Sequence, residues 1–130
     1  MHPLIALVTL LTVLLLMAMM GLVGRARGRH GVKAPSTTGP EGFERTFRVQ
    51  MNTQESALMF LPALWTAAAF SLPWLAACFG GVWLLARVAY AVTYLDPARS
   101  RAIPFVLASL ALLALVVQGL WGVAWTLLLR

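Results

Sequence analysis

Charge is scarce in this chain, and negative charge scarcer still: four Asp and Glu face ten Lys and Arg in 130 residues, and only 11% of the sequence is charged. A soluble domain carries about a quarter charged residues and is nearer half apolar. Here 61% of residues are hydrophobic and the mean hydropathy is +0.84, which excludes an ordinary water-soluble globule and implies a membrane protein. The single cysteine, Cys78, excludes an internal disulfide; in its apolar surroundings it reads as a small buried hydrophobe. No cluster of His, Cys, Asp and Glu has metal-ligand spacing, so no metal is expected. The net charge of +6 would suggest nucleic acid in a soluble protein, but most of the basic residues flank apolar runs, where they set topology. No nucleic-acid partner is expected.

What is present is long apolar sequence, enough for about four membrane-crossing helices at roughly 20 residues each. The expected architecture is all-α, a polytopic four-transmembrane-helix bundle in one domain spanning residues 1–130. The first helix is expected over about 3–24. It does not read as a signal peptide, because no basic region precedes it and its basic cluster follows it. From Gly24 to Gly42 the composition turns to Gly, Pro and basic residues, which predicts a loop carrying Arg25, Arg27, Arg29 and Lys33. The second helix is expected over about 43–72 with Pro62 inside it, the third over 74–95 and ended by Asp96-Pro97, and the fourth over 103–129. Arg99 and Arg101 make the second polar loop basic as well. By the positive-inside rule both polar loops face the cytoplasm and both termini lie on the opposite face, as for a bacterial inner-membrane protein.

The chemistry is concentrated at the start of the second helix. Glu44, Arg45, Arg48, Gln50, Asn52, Gln54 and Glu55 open a segment that then becomes continuously apolar, and a polar cluster entering a membrane is costly unless it binds something. At 100° per residue Arg48, Asn52 and Glu55 share a narrow stripe, whereas Gln50 points almost the opposite way. On the third helix Arg87, Tyr90 and Tyr94 form a matching stripe, at a depth similar to that of Glu55. Glu55 and Arg87 could pair purely to neutralise each other within the bundle. That pairing would leave Arg45, Arg48, Arg99 and Arg101 in excess of the available acids. Such a surplus of cations with one buried carboxylate and two tyrosines suits a small zwitterionic ligand bearing carboxylates. A small four-helix transporter fits less well, since its charges should lie near the midplane rather than at one face.

The segment G-P-E-G-F-E-R-T-F-R-V-Q-M-N, from Gly39 to Asn52, resembles the signature of the MAPEG family, the membrane-associated proteins in eicosanoid and glutathione metabolism. The likeness is greatest to the leukotriene C synthase and microsomal glutathione transferase branch. It continues through P-S-T-T-G-P before this segment, E-S-A-L-M-F-L-P-A-L-W after it, and R-V-A-Y-A-V-T-Y-L-D-P-A-R-S-R later. Thr46, Val49 and Thr53 depart from the usual valine, alanine and cysteine. The resemblance implies a homotrimer of four-helix subunits among membrane lipids, with glutathione as co-substrate bound between neighbouring subunits at the cytoplasmic end. It implies Arg48, Asn52, Glu55, Tyr90 and Tyr94 as glutathione ligands on one subunit and Gln50 and Arg27 from the neighbour. Arg101 matches the arginine that stabilises the thiolate, with Arg99 a second candidate because it stands only two residues away. Ser56 replaces a tyrosine that helps bind glutathione in that branch, and Gly28 replaces a second loop arginine. The implied activity is conjugation of glutathione to a hydrophobic small-molecule electrophile, with reduction of lipid hydroperoxides as a side activity. The competing reading is a non-catalytic lipid-binding or lipid-presenting protein of the same fold.

Overall fold

A computed structural model describes residues 1–129, and these form four helices with no strand among the described residues: α1 (Pro3–His30), α2 (Glu41–Phe70), α3 (Pro73–Leu95) and α4 (Ala102–Leu128). α1, α3 and α4 are long and apolar enough to cross a membrane. α2 falls short by composition, because the polar stripe occupies roughly its first four turns. It nevertheless packs against all three other helices, whereas α1 and α4 do not touch each other. The helices alternate in direction, and the polar connections lie together at one end of the bundle.

The first helix extends beyond its expected end. Residues 24–30 are helical rather than part of a loop, so Arg25, Arg27 and Arg29 project from the last turns of α1. Gly24 and Gly28 cost about 1 kcal/mol each relative to alanine. The intervening Arg and Ala residues are good helix formers, and three basic side chains in the last turn complement the negative end of the helix dipole. The helix stops at Gly31, which adopts φ 65° and donates its N–H to the carbonyl of Arg27, with the N–H of Val32 reaching the same oxygen at 3.1 Å. A short connection then returns to α2. Arg27 holds it in place, donating from Nη1 to the Ser36 carbonyl at 2.7 Å and stacking its guanidinium 5.0 Å from the Phe43 ring. Glu44 accepts from the Gly39 N–H at 3.1 Å, which fixes where α2 begins and hence the register of its polar stripe.

In a lipid environment helices associate through close packing and interhelical hydrogen bonds, because the surrounding hydrocarbon is as apolar as they are. The core shows both devices. Ala57, Ala67, Ala76, Ala108 and Ala111 bring backbones together, and Phe60 stacks on Trp83 with centroids 3.8 Å apart. Trp83 is fully buried, with its indole N–H donating to the Ser56 hydroxyl at 3.1 Å. At the far end Gln118 donates to the Leu72 carbonyl at 3.0 Å, tying α4 to the turn between α2 and α3. Gly122 packs against the carbonyl of Phe70, where no Cβ would fit. Cys78 is exposed on the outside of the bundle, not buried as its surroundings suggest.

Candidate functional site

At the polar end, α2 and α3 are joined by a hydrogen bond from Asn52 Nδ2 to the Tyr90 hydroxyl, 2.8 Å long. Deeper in the bundle the Trp83–Ser56 bond repeats the link, so the two polar stripes run side by side. Tyr90 is buried, its ring 5.5 Å from that of Tyr94 and 6.4 Å from that of Phe105 on α4. Below it the guanidinium of Arg87 lies 4.9 Å from the Tyr90 ring centre, with Nε and Nη1 making no hydrogen bond among the described residues. Cation–π attraction offsets part of the cost of burying that charge.

Tyr94 is flanked by two cations. The Arg101 guanidinium sits 4.6 Å from its ring centre, and that of Arg45 lies 5.9 Å away while donating to the Tyr94 carbonyl at 3.2 Å. The connection that presents Arg101 is short, because Pro97 ends α3 and α4 begins at Ala102. Asp96 accepts from the Ala98 N–H, and the Ser100 hydroxyl from the Ala102 N–H, which shapes the turn. Arg99 pairs with Asp96 at 3.3 Å across an exposed surface. Arg101 makes no ion pair among the described residues, and it stands at the N-terminus of α4, where the helix dipole adds to its positive field.

Two hollows meet at Tyr94. One, of about 620 Å³, is lined by Asn52, Tyr90, Tyr94, Arg99, Arg101 and Phe105. The other, of about 490 Å³, adds Arg48, Thr37 and Thr38 on the α2 side, and Arg45, Tyr94 and Arg101 border both. Glu41, ion-paired with Arg45 at 2.8 Å, and Glu44 also line the second hollow, so four arginines face two carboxylates and the combined cleft is cationic overall.

Five of the sequence-predicted residues therefore share one hollow: Asn52, Tyr90, Tyr94, Arg99 and Arg101. Arg48 lines the adjoining one. Three do not come to the cleft within a single subunit. Gln50 lines an apolar groove of about 490 Å³ between α1 and α2, beside Leu16, Gln54 and Trp65. Arg27 is engaged with the Ser36 carbonyl and Phe43. Glu55 is exposed and makes no ion pair among the described residues, so the expected alternative of a Glu55–Arg87 pair within the subunit is not formed, although the contacts around them place the two at matching levels. Arg45, counted in the sequence among the surplus cations but not named as a glutathione ligand, lines both hollows; Phe105 is a further lining residue and carries no signal in the sequence.

Residues 5–121 match the model of the MAPEG family. The chain belongs to the MAPEG family. An uncharacterized protein of Synechocystis sp. is 48% identical over 104 residues, covering 80% of this chain and 76% of its own length. Microsomal glutathione S-transferase 2 of Mus musculus is 39% identical over 101 residues, covering 78% and 69% respectively. Leukotriene C4 synthase of Cavia porcellus is 40% identical over 99 residues, covering 74% and 66%. The relatives named glutathione S-transferase and leukotriene C4 synthase support a glutathione-conjugating role for this MAPEG protein.

Proposed function

We propose that this MAPEG protein is a membrane-bound glutathione transferase that joins glutathione to hydrophobic electrophiles, and that the Tyr94 cleft is half of its glutathione site. The observation that carries the reading is the convergence of Arg45, Arg101 and the Asn52–Tyr90 pair around Tyr94, with no carboxylate partner for Arg101 among the described residues. Glutathione brings two carboxylates, one ammonium and one thiol. Arg48 suits one carboxylate and Arg45 the other, by exchanging its exposed 2.8 Å ion pair with Glu41 for the ligand; Asn52 and the tyrosine hydroxyls supply neutral hydrogen bonds, and Arg101 suits the sulfur. The other half comes from a neighbouring subunit of a homotrimer, which supplies Gln50 and Arg27, and Glu55 holds the ligand's ammonium at the subunit boundary. This assignment accounts for the outward exposure of Glu55 and for the position of Gln50 on another face.

The role of Arg101 is electrostatic. A free thiol titrates near 8.5, so only about 3% is thiolate at neutral pH. A guanidinium within about 4–6 Å lowers that value by roughly 1–3 units, which raises the nucleophilic thiolate at neutral pH to between about a quarter and nearly all of the bound glutathione. The sulfur lone pair forms an S–C bond to the electrophile, and the electrons of the broken bond leave with a halide or with an oxygen that takes a proton from water. With a lipid hydroperoxide, the thiolate attacks the terminal oxygen and releases an alcohol, and a second glutathione resolves the sulfenic acid as the disulfide. The electrophile reaches the cleft from the bilayer, where apolar compounds are already concentrated.

The basic residues clustered at the polar end support a cytoplasmic position for that end, with the bundle in a bacterial inner membrane. Calorimetric titration with glutathione, together with conjugation of an aryl halide by purified protein, tests the reading. A second reading, a lipid-binding protein without activity, is favoured by the apolar groove between α1 and α2; it requires that groove to bind lipid and conjugation to be absent.

A further inference from the structure

A second cationic cluster, unused by the glutathione cleft, occupies the end of α1. Arg25 and Arg29 are one turn apart and so share a face, which turns away from Arg27. With His30 and Thr46 they border a cavity of about 470 Å³ where α1, α2 and α3 meet, and its apolar walls include Leu22 and Leu95. No carboxylate lines it, and neither arginine makes an ion pair among the described residues. The His30 ring lies against Gly42 at the start of α2, where an added Cβ would stand 3.0 Å from its Nε2. The extension of α1 through residue 30 is what builds this cavity, since a loop over residues 24–30 would not hold Arg25 and Arg29 on one face.

The surroundings separate a lipid from a soluble anion. Leu95 stands at the mouth of the cavity, and Val92, Val88 and Leu85 follow it down α3 at helical spacing, all exposed on the outer surface of the bundle. A cationic pocket therefore caps an apolar stripe that runs along a membrane-crossing helix. Guanidinium groups pair with phosphate through fixed, bidentate geometry, and basic residues at a membrane surface attract anionic headgroups. We propose that this cavity binds the phosphodiester headgroup of an anionic phospholipid, with an acyl chain lying along the α3 stripe. The site is separate from the glutathione cleft and does not depend on catalysis.

The test uses full-length protein in detergent, titrated with phosphatidylglycerol or with phosphatidylcholine of the same chains, and bound lipid is counted by native mass spectrometry. The wild-type protein is expected to retain phosphatidylglycerol in preference to phosphatidylcholine. The R25A/R29A double variant should bind phosphatidylglycerol roughly thirtyfold more weakly, and R25K/R29K should recover part of the loss. Val92→Gln should weaken phosphatidylglycerol binding while leaving competition by inorganic phosphate unchanged. Equal retention of phosphatidylglycerol by the wild type and R25A/R29A overturns the proposal. So does an inorganic phosphate signal accompanied by no discrimination between the two lipids, which would make the cavity a free-anion site.

Discussion

Asn52 and Tyr90 are tied side chain to side chain at 2.8 Å, and this bond sets the floor of the cleft between α2 and α3. It orients the buried tyrosine ring toward Tyr94 and Phe105 and leaves the remaining polar capacity of both residues facing the ligand space.

Because the two residues act as a unit, Asn52→Ala and Tyr90→Phe should each weaken glutathione binding about tenfold, near the upper range for losing one hydrogen-bonding partner. The double variant should lose little more than either single one. A double-mutant cycle measured by calorimetry checks this; fully additive losses would show that the two bind glutathione independently.

Arg101 and Arg99 are distinguished by their partners. Arg99 is already held by Asp96, and the pair is exposed, so Arg99→Ala should change turnover by less than about threefold. Arg101→Ala should reduce turnover at neutral pH by about 10- to 30-fold, the ratio of thiolate fractions for a shift of roughly 1–3 units. Removing the cation raises the thiol pKa, so the deficit should shrink as pH rises toward the ordinary thiol value. The pH–rate profile decides: the opposite ranking of the two variants would transfer the thiolate to Arg99.

Glu55 has no ion-pair partner among the described residues of its own subunit, so Glu55→Gln should leave thermal stability unchanged and weaken glutathione binding about tenfold, through loss of a charged hydrogen bond. Melting and titration curves on the same sample read both effects. Normal binding with lowered stability would identify Glu55 as a structural partner of Arg87 across subunits.

Gly122 belongs to the packing of α4 on α2, not to the site. Gly122→Ala should destabilise the bundle by about 1–3 kcal/mol, because the new Cβ meets the rigid Phe70 carbonyl rather than a mobile side chain. The loss should appear in thermal unfolding, with the glutathione affinity of the folded fraction unchanged.

The four helices and the two polar stripes were legible in the sequence because apolar length and 3.6-residue spacing are local signals. The end of α1 was not. Gly24, Gly28 and Gly31 all look like helix breakers, yet only Gly31 takes a left-handed conformation; the other two sit in a helix supported by Arg25, Ala26, Arg27 and the packing of Val23 and Ala26 against Phe43. α2 shows the converse limit. Its first half is too polar for a composition test of membrane crossing, and only packing against all three other helices gives it a central place. Within the site, Asn52, Tyr90, Tyr94, Arg99 and Arg101 followed from position along the helices and the second polar connection. Gln50 lies away from the cleft, as its direction on the helix implied, and Arg27, expected from a neighbouring subunit, is also outside it; Glu55, expected on the Arg48–Asn52 stripe, is exposed instead, since spacing along one helix cannot say which of several packed neighbours a face will meet.

The central claim is that the Tyr94 cleft activates glutathione, and its most direct measurement is glutathione-dependent conjugation of an aryl halide by the purified protein in detergent. The account predicts turnover that saturates with glutathione in the wild type and falls about 10- to 30-fold in Arg101→Ala at neutral pH. No conjugation by the folded wild-type protein at saturating glutathione would contradict it.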